Sequence, residues 1–225
     1  MITQSAFEVL GPIMVGPSSS HTAGAVRIGR VVNKLMDGQT PAKLELILSG
    51  SFAQTYRGHG TDRALLAGVM GFHSYSEEIR DALRIADRRG IRYEFVKRDI
   101  PGAHPNTARI VYTLADGSSG SVQAASVGGG NIRVDLINDM HVDFSGDSNT
   151  LLVMHLDRPG VIAAVTNLMR EEYADLNICN FHLSREQRGG NAIMTIEIDN
   201  MPPAELIGDI RKLEHVTNAL LIRRL

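Results

Sequence analysis

The last third of the chain alternates short strands with helices, and this pattern constrains the fold more than any other feature. Apolar residues at helical spacing follow Asp157-Arg158-Pro159-Gly160, where a proline in the first turn favours a helix start, and recur after Pro202. Apolar or alternating segments predict four strands, at 151–156, 176–185, 192–198 and 215–222. The resulting order, βαββαβ, is that of the ferredoxin-like split βαβ arrangement.

The preceding part of the chain predicts a second region of α+β structure. Apolar residues at helical spacing predict helices at 23–36, 62–69 and 77–89. Alternation predicts strands at 43–48, 91–97, 108–114, 121–126 and 132–137. We therefore expect helices packed on a mixed, mostly antiparallel sheet. The polar, turn-rich segment 145–149 places a domain boundary near residue 148, which gives domains at 1–148 and 149–225.

Composition limits the partners that such a chain can have. The net charge is −2 and there is no tryptophan, so neither a phosphate-binding basic surface nor a base-stacking platform has support. The first positive residue is Arg27, and no apolar run is long enough to cross a bilayer. The single cysteine, Cys179, forms no internal disulfide and cannot hold an iron–sulfur cluster within this chain. We expect a cytoplasmic protein that binds no metal by itself.

The functional site is expected in the first domain, which carries 18 of the 22 glycines and five of the eight histidines. The first motif, Gly16-Pro17-Ser18-Ser19-Ser20-His21-Thr22-Ala23-Gly24, lies directly before a predicted helix. The N–H groups of a helix start attract carboxylate or phosphate, and His21 can move a proton. The plainer interpretation is a serine N-cap within a loop.

The second motif runs from Gly50 to Asp62 and contains Arg57-Gly58-His59-Gly60-Thr61, between a predicted strand and a predicted helix. His59 is accessible if its two glycine neighbours leave it uncovered, and Thr61 or Asp62 can cap the helix that follows. Arg57 can pair with a carboxylate. The alternative is a glycine-rich turn that carries a surface histidine.

Two further loops carry polar groups or glycines. His104-Pro105-Asn106-Thr107 precedes a strand, and Ser126-Val127-Gly128-Gly129-Gly130-Asn131 follows one. The first has the composition of a turn, in which His104 is structural. The second allows a close backbone approach to a ligand, or it is a plain connection between strands.

These motifs, in this order, resemble the beta chain of bacterial iron–sulfur L-serine dehydratase. The resemblance rests on Gly-Pro-Ser-Ser-Ser-His-Thr at 16–22, Gly-Ser-Phe-Ala at 50–53, Gly-His-Gly-Thr-Asp at 58–62 and His-Pro-Asn-Thr at 104–107. The first domain is also similar to the allosteric substrate-binding domain of some D-3-phosphoglycerate dehydrogenases. The second domain resembles an ACT domain, with Asp157-x-Pro159-Gly160 at its first turn and Asn177-Ile178 at its second strand.

The resemblance implies a subunit that converts L-serine to pyruvate and ammonia only together with an alpha chain. That partner would hold a [4Fe–4S] cluster as Lewis acid. His59 is the first choice for the proton acceptor, with His21 and His104 in reserve. Ser18, Ser19, Ser20 and Thr22 would bind the substrate carboxylate. Further substrate contacts are expected at Gly58, Gly60, Thr61, His104, Asn106 and Thr107.

Three questions stay open at this point. The ACT-like domain could bind amino acids or could only assemble subunits, and a homodimer is expected to form through this domain or through the first domain. A different class of function, a stand-alone amino-acid sensor without catalysis, would use the same glycine-rich loops. A purely structural subunit would need neither His21 nor His59.

Overall fold

Residues 13–225 are described by a computed structural model, and they divide into two units. The first unit ends at Asn138 and the second spans Asp139–Leu225. This division lies before the domain boundary that the polar segment 145–149 predicts. Both units combine helices with a sheet, as expected of an α+β chain. Among the helices of residues 13–225, none has both the length and the apolar composition needed to cross a bilayer.

The sheet of the first unit is mixed, as predicted. Its strands are β1 Lys43–Leu48, β2 Arg92–Lys97, β3 Thr107–Thr113, β4 Ser119–Gly128 and β5 Asn131–Ile137. They lie in the order β2-β1-β3-β4-β5. Strands β1 and β2 are parallel, whereas β1–β3, β3–β4 and β4–β5 are antiparallel. Strand β1, which lies between β2 and β3, ends at Leu48, two residues before the second sequence motif begins.

The helices of the first unit begin with a π-helical turn at Ser19–Gly24 that continues into α1, Ala25–Leu35. The others are α2 Gly50–His59, α3 Thr61–Val69, a 3-10 turn at Glu77–Asp81 and α4 Ala82–Arg88. The single helix predicted over 77–89 is thus divided in two. Helix α3 is buried along almost its whole length, as its apolar composition predicts.

Two glycines allow α1 and α3 to pack backbone against backbone. A Cβ added at Gly29 would lie 2.3 Å from the carbonyl oxygen of Leu65. A Cβ added at Gly68 would lie 2.1 Å from the carbonyl oxygen of Val26. Neither position can carry a side chain without moving a helix. The π-helical turn runs directly into α1, so this crossing fixes the turn beside the start of α3.

The second motif is a helix, and the interpretation as a glycine-rich turn is wrong. Phe52 and Tyr56, four residues apart, are both buried and hold one face of α2 against the unit. The chain reverses only at Gly60, whose φ of 71° ends α2 and begins α3. The cap position before α3 is Gly60, so neither Thr61 nor Asp62 caps that helix.

The second unit confirms the predicted order βαββαβ after an additional strand. The additional strand, β6 Met140–Phe144, was not predicted. The following elements are β7 Asn149–Leu156, α5 Val161–Glu172, β8 Ile178–Arg185, β9 Asn191–Ile198, α6 Glu205–Arg211 and β10 Val216–Ile222. Strands β10, β7, β9 and β8 form an antiparallel sheet in that order. Its core joins sheet residues such as Val153 and Ile196 to Val165 and Leu206 of the helices.

Candidate active site

The serine turn of the first motif is built around the hydroxyl of Ser18. Ser18 has an extended backbone, and its Oγ accepts a hydrogen bond of 3.3 Å from the backbone N–H of His21. The N–H of Thr22 donates to the carbonyl oxygen of Ser18 at 2.8 Å. One serine therefore acts as the N-cap. The turn that it caps is π-helical, a form that often occurs at functional sites.

His21 is buried at the centre of a cluster of hydroxyl groups, with 8% of its surface exposed. Ser18 Oγ lies 3.4 Å from its Nδ1. On the other side of the ring, Thr55 Oγ1 lies 3.1 Å and Ser51 Oγ 3.4 Å from its Nε2. Burial first, and then the nearby charge of His59, lower the pKa of His21 below its ordinary value. His21 is therefore neutral at pH 7.

His59 is the exposed partner of His21 and the last residue of α2. The two ring centroids are 4.7 Å apart and the ring planes meet at 79°. The exposure of His59 agrees with the expectation drawn from Gly58 and Gly60. The structure thus brings the two histidines of separate motifs into contact.

His59 lines a cleft of about 290 Å³ in the first unit. Three arginines, Arg57, Arg63 and Arg80, line the same cleft, and no aspartate or glutamate does so among the described residues. The remaining lining residues are Val15, Gly16, Pro17, Thr22, Gly58, Gly60 and Ile79. Guanidinium groups match the planar geometry of a carboxylate, so the cleft is suited to an organic acid.

The sequence motifs did not indicate Arg63 or Arg80 as residues of the site. Arg63 follows the second motif on α3, and Arg80 comes from the 3-10 turn, where it pairs with Glu77 at 2.9 Å. Arg57, which the sequence did indicate, extends over the ring of Tyr56 at 5.5 Å from its centroid. The sequence could have indicated Arg63, because its charge lies close to the Gly-His-Gly segment. No sequence pattern indicated Arg80, because folding brings it to the cleft from a separate turn.

The His104–Thr107 loop supports the site without lining the cleft. His104 Nδ1 accepts a hydrogen bond of 3.1 Å from the N–H of Asn106, and Thr107 Oγ1 donates to the carbonyl oxygen of His104 at 2.7 Å. The carbonyl oxygen of Pro105 accepts from the N–H of Phe52 at 3.4 Å. The loop therefore holds itself and the first turn of α2, which agrees with the interpretation as a structural turn.

The segment 126–131, predicted as a loop, consists of the end of β4, the two glycines 129 and 130 and the first residue of β5, and it also meets the serine turn. A Cβ added at Gly24 would lie 2.1 Å from Ser126 Oγ, and Arg27 donates to the carbonyl oxygen of Gly130 at 3.1 Å. The N–H of Ser126 donates to the carbonyl oxygen of Asn106 at 3.0 Å. All four sequence motifs therefore converge around the π-helical turn, although only the first two line the cleft.

Buried hydroxyls without a partner surround the same turn. Among the described residues, the hydroxyl oxygens of Thr22, Thr61 and Ser126 are buried and accept or donate no hydrogen bond. Thr22 lines the cleft. Thr61, expected to contact substrate, lies buried at the start of α3 and does not line the cleft.

The residues of this chain do not fit an iron–sulfur cluster. Cys179 is its single cysteine, on β8 of the second unit. Within residues 13–225, no group of three or more histidine, cysteine, aspartate or glutamate side chains could hold a metal ion. A cluster needs three or four thiolates, which the residues of this chain do not supply.

Comparison with known proteins gives a family-model match in the first part of the chain and relatives that cover nearly all of it. The family model described as serine dehydratase beta chain matches residues 5–91. A probable L-serine dehydratase beta chain of Bacillus subtilis is 38% identical, with 95% of each chain covered. The L-serine dehydratase beta chain of Peptoniphilus asaccharolyticus is 36% identical, with 97% of this chain and 98% of that one covered. A D-3-phosphoglycerate dehydrogenase of Synechocystis is 24% identical over 88% of this chain but only 35% of its own length.

Proposed function

Because the chain belongs to the family of L-serine dehydratase beta chains and is a subunit of such an enzyme, we propose that its arginine-lined cleft completes the active site of an alpha chain. The reaction converts L-serine to pyruvate and ammonia. The observation that carries the proposal is the cleft itself, which an exposed histidine and three arginines line together. Such a site can bind a carboxylate and move a proton.

The charges of the cleft indicate how L-serine would be oriented. Its carboxylate faces the three arginines and the serine turn, of which Gly16, Pro17 and Thr22 line the cleft. The serines of the turn, Ser18, Ser19 and Ser20, do not line it and would act through the turn that they form. The α-carbon then lies towards His59, which takes up the α-proton. Loss of the β-hydroxyl as water leaves an enamine. Its imine form reacts with water to give pyruvate and ammonia, so the water released is consumed again.

The alpha chain supplies what this chain lacks. The chain has one cysteine, so we propose that the [4Fe–4S] cluster is held wholly by the alpha chain and that this subunit is inactive alone. No lining carboxylate faces the cleft from the described residues, so an acceptor for the α-ammonium of L-serine would also come from the partner. This chain then contributes carboxylate binding and proton transfer.

The second unit is proposed to be an ACT domain. Support comes from its antiparallel strand order β10-β7-β9-β8 and from the Asp157-x-Pro159-Gly160 turn before α5. Its role would be serine-linked regulation or homodimer formation. Equilibrium dialysis of the full chain against L-serine is repeated with Arg63→Gln, which weakens binding at the cleft, so that binding retained by this variant is assigned to the second unit. The oligomeric state is measured in parallel. No binding at millimolar L-serine favours assembly alone.

The rival function is a stand-alone amino-acid sensor. One observation favours it. A D-3-phosphoglycerate dehydrogenase is similar over 88% of this chain, although its name gives a reaction other than serine dehydration. A chain of this kind can therefore belong to a protein that does not dehydrate serine. A sensor would bind an organic acid in the same cleft without any turnover. The presence or absence of turnover with an alpha chain therefore separates the two functions.

The test is anaerobic formation of pyruvate from L-serine. This chain, the alpha chain and an equimolar mixture are compared, and the visible absorbance of the cluster is recorded in each sample. Pyruvate formed only by the mixture supports a shared active site. A mixture with an intact cluster and no pyruvate contradicts the dehydratase function and favours the sensor.

A further inference from the structure

The hydroxyl of Thr55 defines which nitrogen of the His21 ring carries hydrogen. Thr55 Oγ1 lies 2.8 Å from the carbonyl oxygen of Ser51 and 3.1 Å from His21 Nε2. A threonine hydroxyl has one hydrogen and two acceptor lone pairs, whereas a carbonyl oxygen only accepts. The hydrogen of Thr55 therefore goes to Ser51, and Thr55 Oγ1 faces His21 as an acceptor. The hydrogen between Thr55 and His21 must come from Nε2.

The opposite side of the ring is consistent with the same assignment. A neutral imidazole that carries hydrogen on Nε2 has a lone pair on Nδ1. Ser18 Oγ lies 3.4 Å from that nitrogen and already accepts the backbone N–H of His21 at 3.3 Å. The hydroxyl hydrogen of Ser18 is therefore directed to Nδ1. Burial, which lowers the pKa of His21, keeps the ring in this neutral form.

We propose that Thr55 is a positioning residue that fixes His21 in the tautomer with hydrogen on Nε2, and that His21 in turn orients the hydroxyl of Ser18. The effect on turnover rests on the proposed function, whereas the tautomer is a property of this chain alone. Ser18 caps the turn that carries Thr22 into the cleft, so its orientation bears on how that turn meets a carboxylate.

Helix α2 holds Thr55 rigidly in place for this role. Phe52 and Tyr56 are buried on either side of it along the chain, and the bond to the carbonyl oxygen of Ser51 fixes the side-chain rotamer. Ser51 Oγ approaches the same nitrogen only to 3.4 Å. Thr55 is therefore the nearest acceptor of the Nε2 hydrogen among the described residues.

The matched control for Thr55 is Thr166. Thr166 Oγ1 donates to the carbonyl oxygen of Ile162, four residues earlier in α5, at 2.9 Å. Thr55→Val and Thr166→Val thus remove the same kind of helical side-chain bond. Only Thr55 faces a histidine, and Thr166 belongs to the second unit. Thr55→Ser keeps the hydroxyl and serves as the conservative variant.

The direct test is the long-range ¹H–¹⁵N spectrum of the histidine rings in the full chain. It distinguishes a ring nitrogen that carries hydrogen from one that does not. The His21 signals are those lost in His21→Gln. We expect hydrogen on Nε2 in the wild type, in Thr55→Ser and in Thr166→Val, and a shift towards hydrogen on Nδ1 in Thr55→Val. Hydrogen on Nδ1 in the wild type overturns the proposal, even if Thr55→Val does not fold.

Turnover in the complex with the alpha chain supplies the second readout. Supporting groups of this kind change activity roughly 10- to 100-fold, so kcat/KM for L-serine should fall by about that factor in Thr55→Val, through a higher KM because the turn meets the substrate carboxylate. Thr55→Ser should keep most of the wild-type kcat/KM. Wild-type kcat/KM in a folded Thr55→Val overturns the positioning role, and so does an equal loss in Thr166→Val. If the wild-type mixture is inactive, the proposed function fails and the ring spectrum alone decides the tautomer.

Discussion

The rings of His21 and His59 meet in a T-shaped contact, with centroids 4.7 Å apart and planes at 79°. Burial lowers the pKa of His21, and repulsion from a positive charge on His59 lowers it further. His21 lies within the protein among hydroxyls, whereas His59 is exposed at the cleft. In the proposed reaction, His59 is therefore the ring that exchanges a proton with substrate.

The first prediction concerns pH and stability. Because burial holds the pKa of His21 below 6.5 in the folded chain, the unfolded chain binds this proton at higher pH. The contribution of neutral His21 to the free energy of unfolding is complete above pH 6.5, the ordinary pKa of histidine. It is lost as the pH falls through the lowered pKa of the folded chain. The free energy of unfolding of the wild type should therefore fall relative to His21→Gln between about pH 7 and about pH 5. Urea unfolding at each pH measures it, and a constant difference contradicts the account.

The second prediction concerns the binding of the substrate carboxylate. Arg63→Gln removes the charge of one of the three arginines that line the cleft. A hydrogen bond to a charged group contributes about 1.5–3 kcal/mol, so KM for L-serine should rise roughly 10- to 100-fold. Steady-state pyruvate formation by the complex measures this change. Arg84→Gln is the control, because Arg84 is exposed on α4 and pairs with Asp81 at 2.9 Å. Equal effects of the two substitutions would contradict carboxylate binding at the cleft.

The third prediction concerns the packing of α1 against α3. A Cβ at Gly68 would lie 2.1 Å from the carbonyl oxygen of Val26, so Gly68→Ala must separate the two helices. We expect a loss of about 1–3 kcal/mol in the free energy of unfolding. Gly208 of α6 has nothing within 4 Å of an added Cβ, so Gly208→Ala should stabilise the chain by about 0.5–1 kcal/mol. Urea unfolding compares the two, and a stabilising Gly68→Ala would refute the close crossing.

The regular elements were largely predictable from local sequence patterns. In the second unit, apolar alternation defined strands such as β9, and both helices follow a proline-containing turn. Strand β1 agrees with its predicted bounds. Helix α2 was missed because it contains glycines at its start and near its end, and only Phe52 and Tyr56 form a buried face. Its stability comes from packing rather than from helix propensity.

The candidate site was predictable only in part. Residue types and their order indicated the first two motifs, and both line the cleft. The contact between His21 and His59 depends on how α1 crosses α3, which no local pattern encodes. The same holds for Arg80, which reaches the cleft from a separate turn. His104 has the residue type expected at a site, but its Nδ1 is engaged with the N–H of Asn106.

The most direct test of the shared active site is the turnover of a complex that contains His59→Gln. Each complex is purified with the alpha chain and adjusted to equal cluster content, and anaerobic pyruvate formation is measured. His141→Gln is the matched control, because His141 is an exposed histidine of β6 that does not line the cleft. Loss of a positioned general base costs about 10²- to 10⁴-fold in rate. The account predicts a loss of this size for His59→Gln with complex formation unchanged, and wild-type turnover by that complex would contradict it.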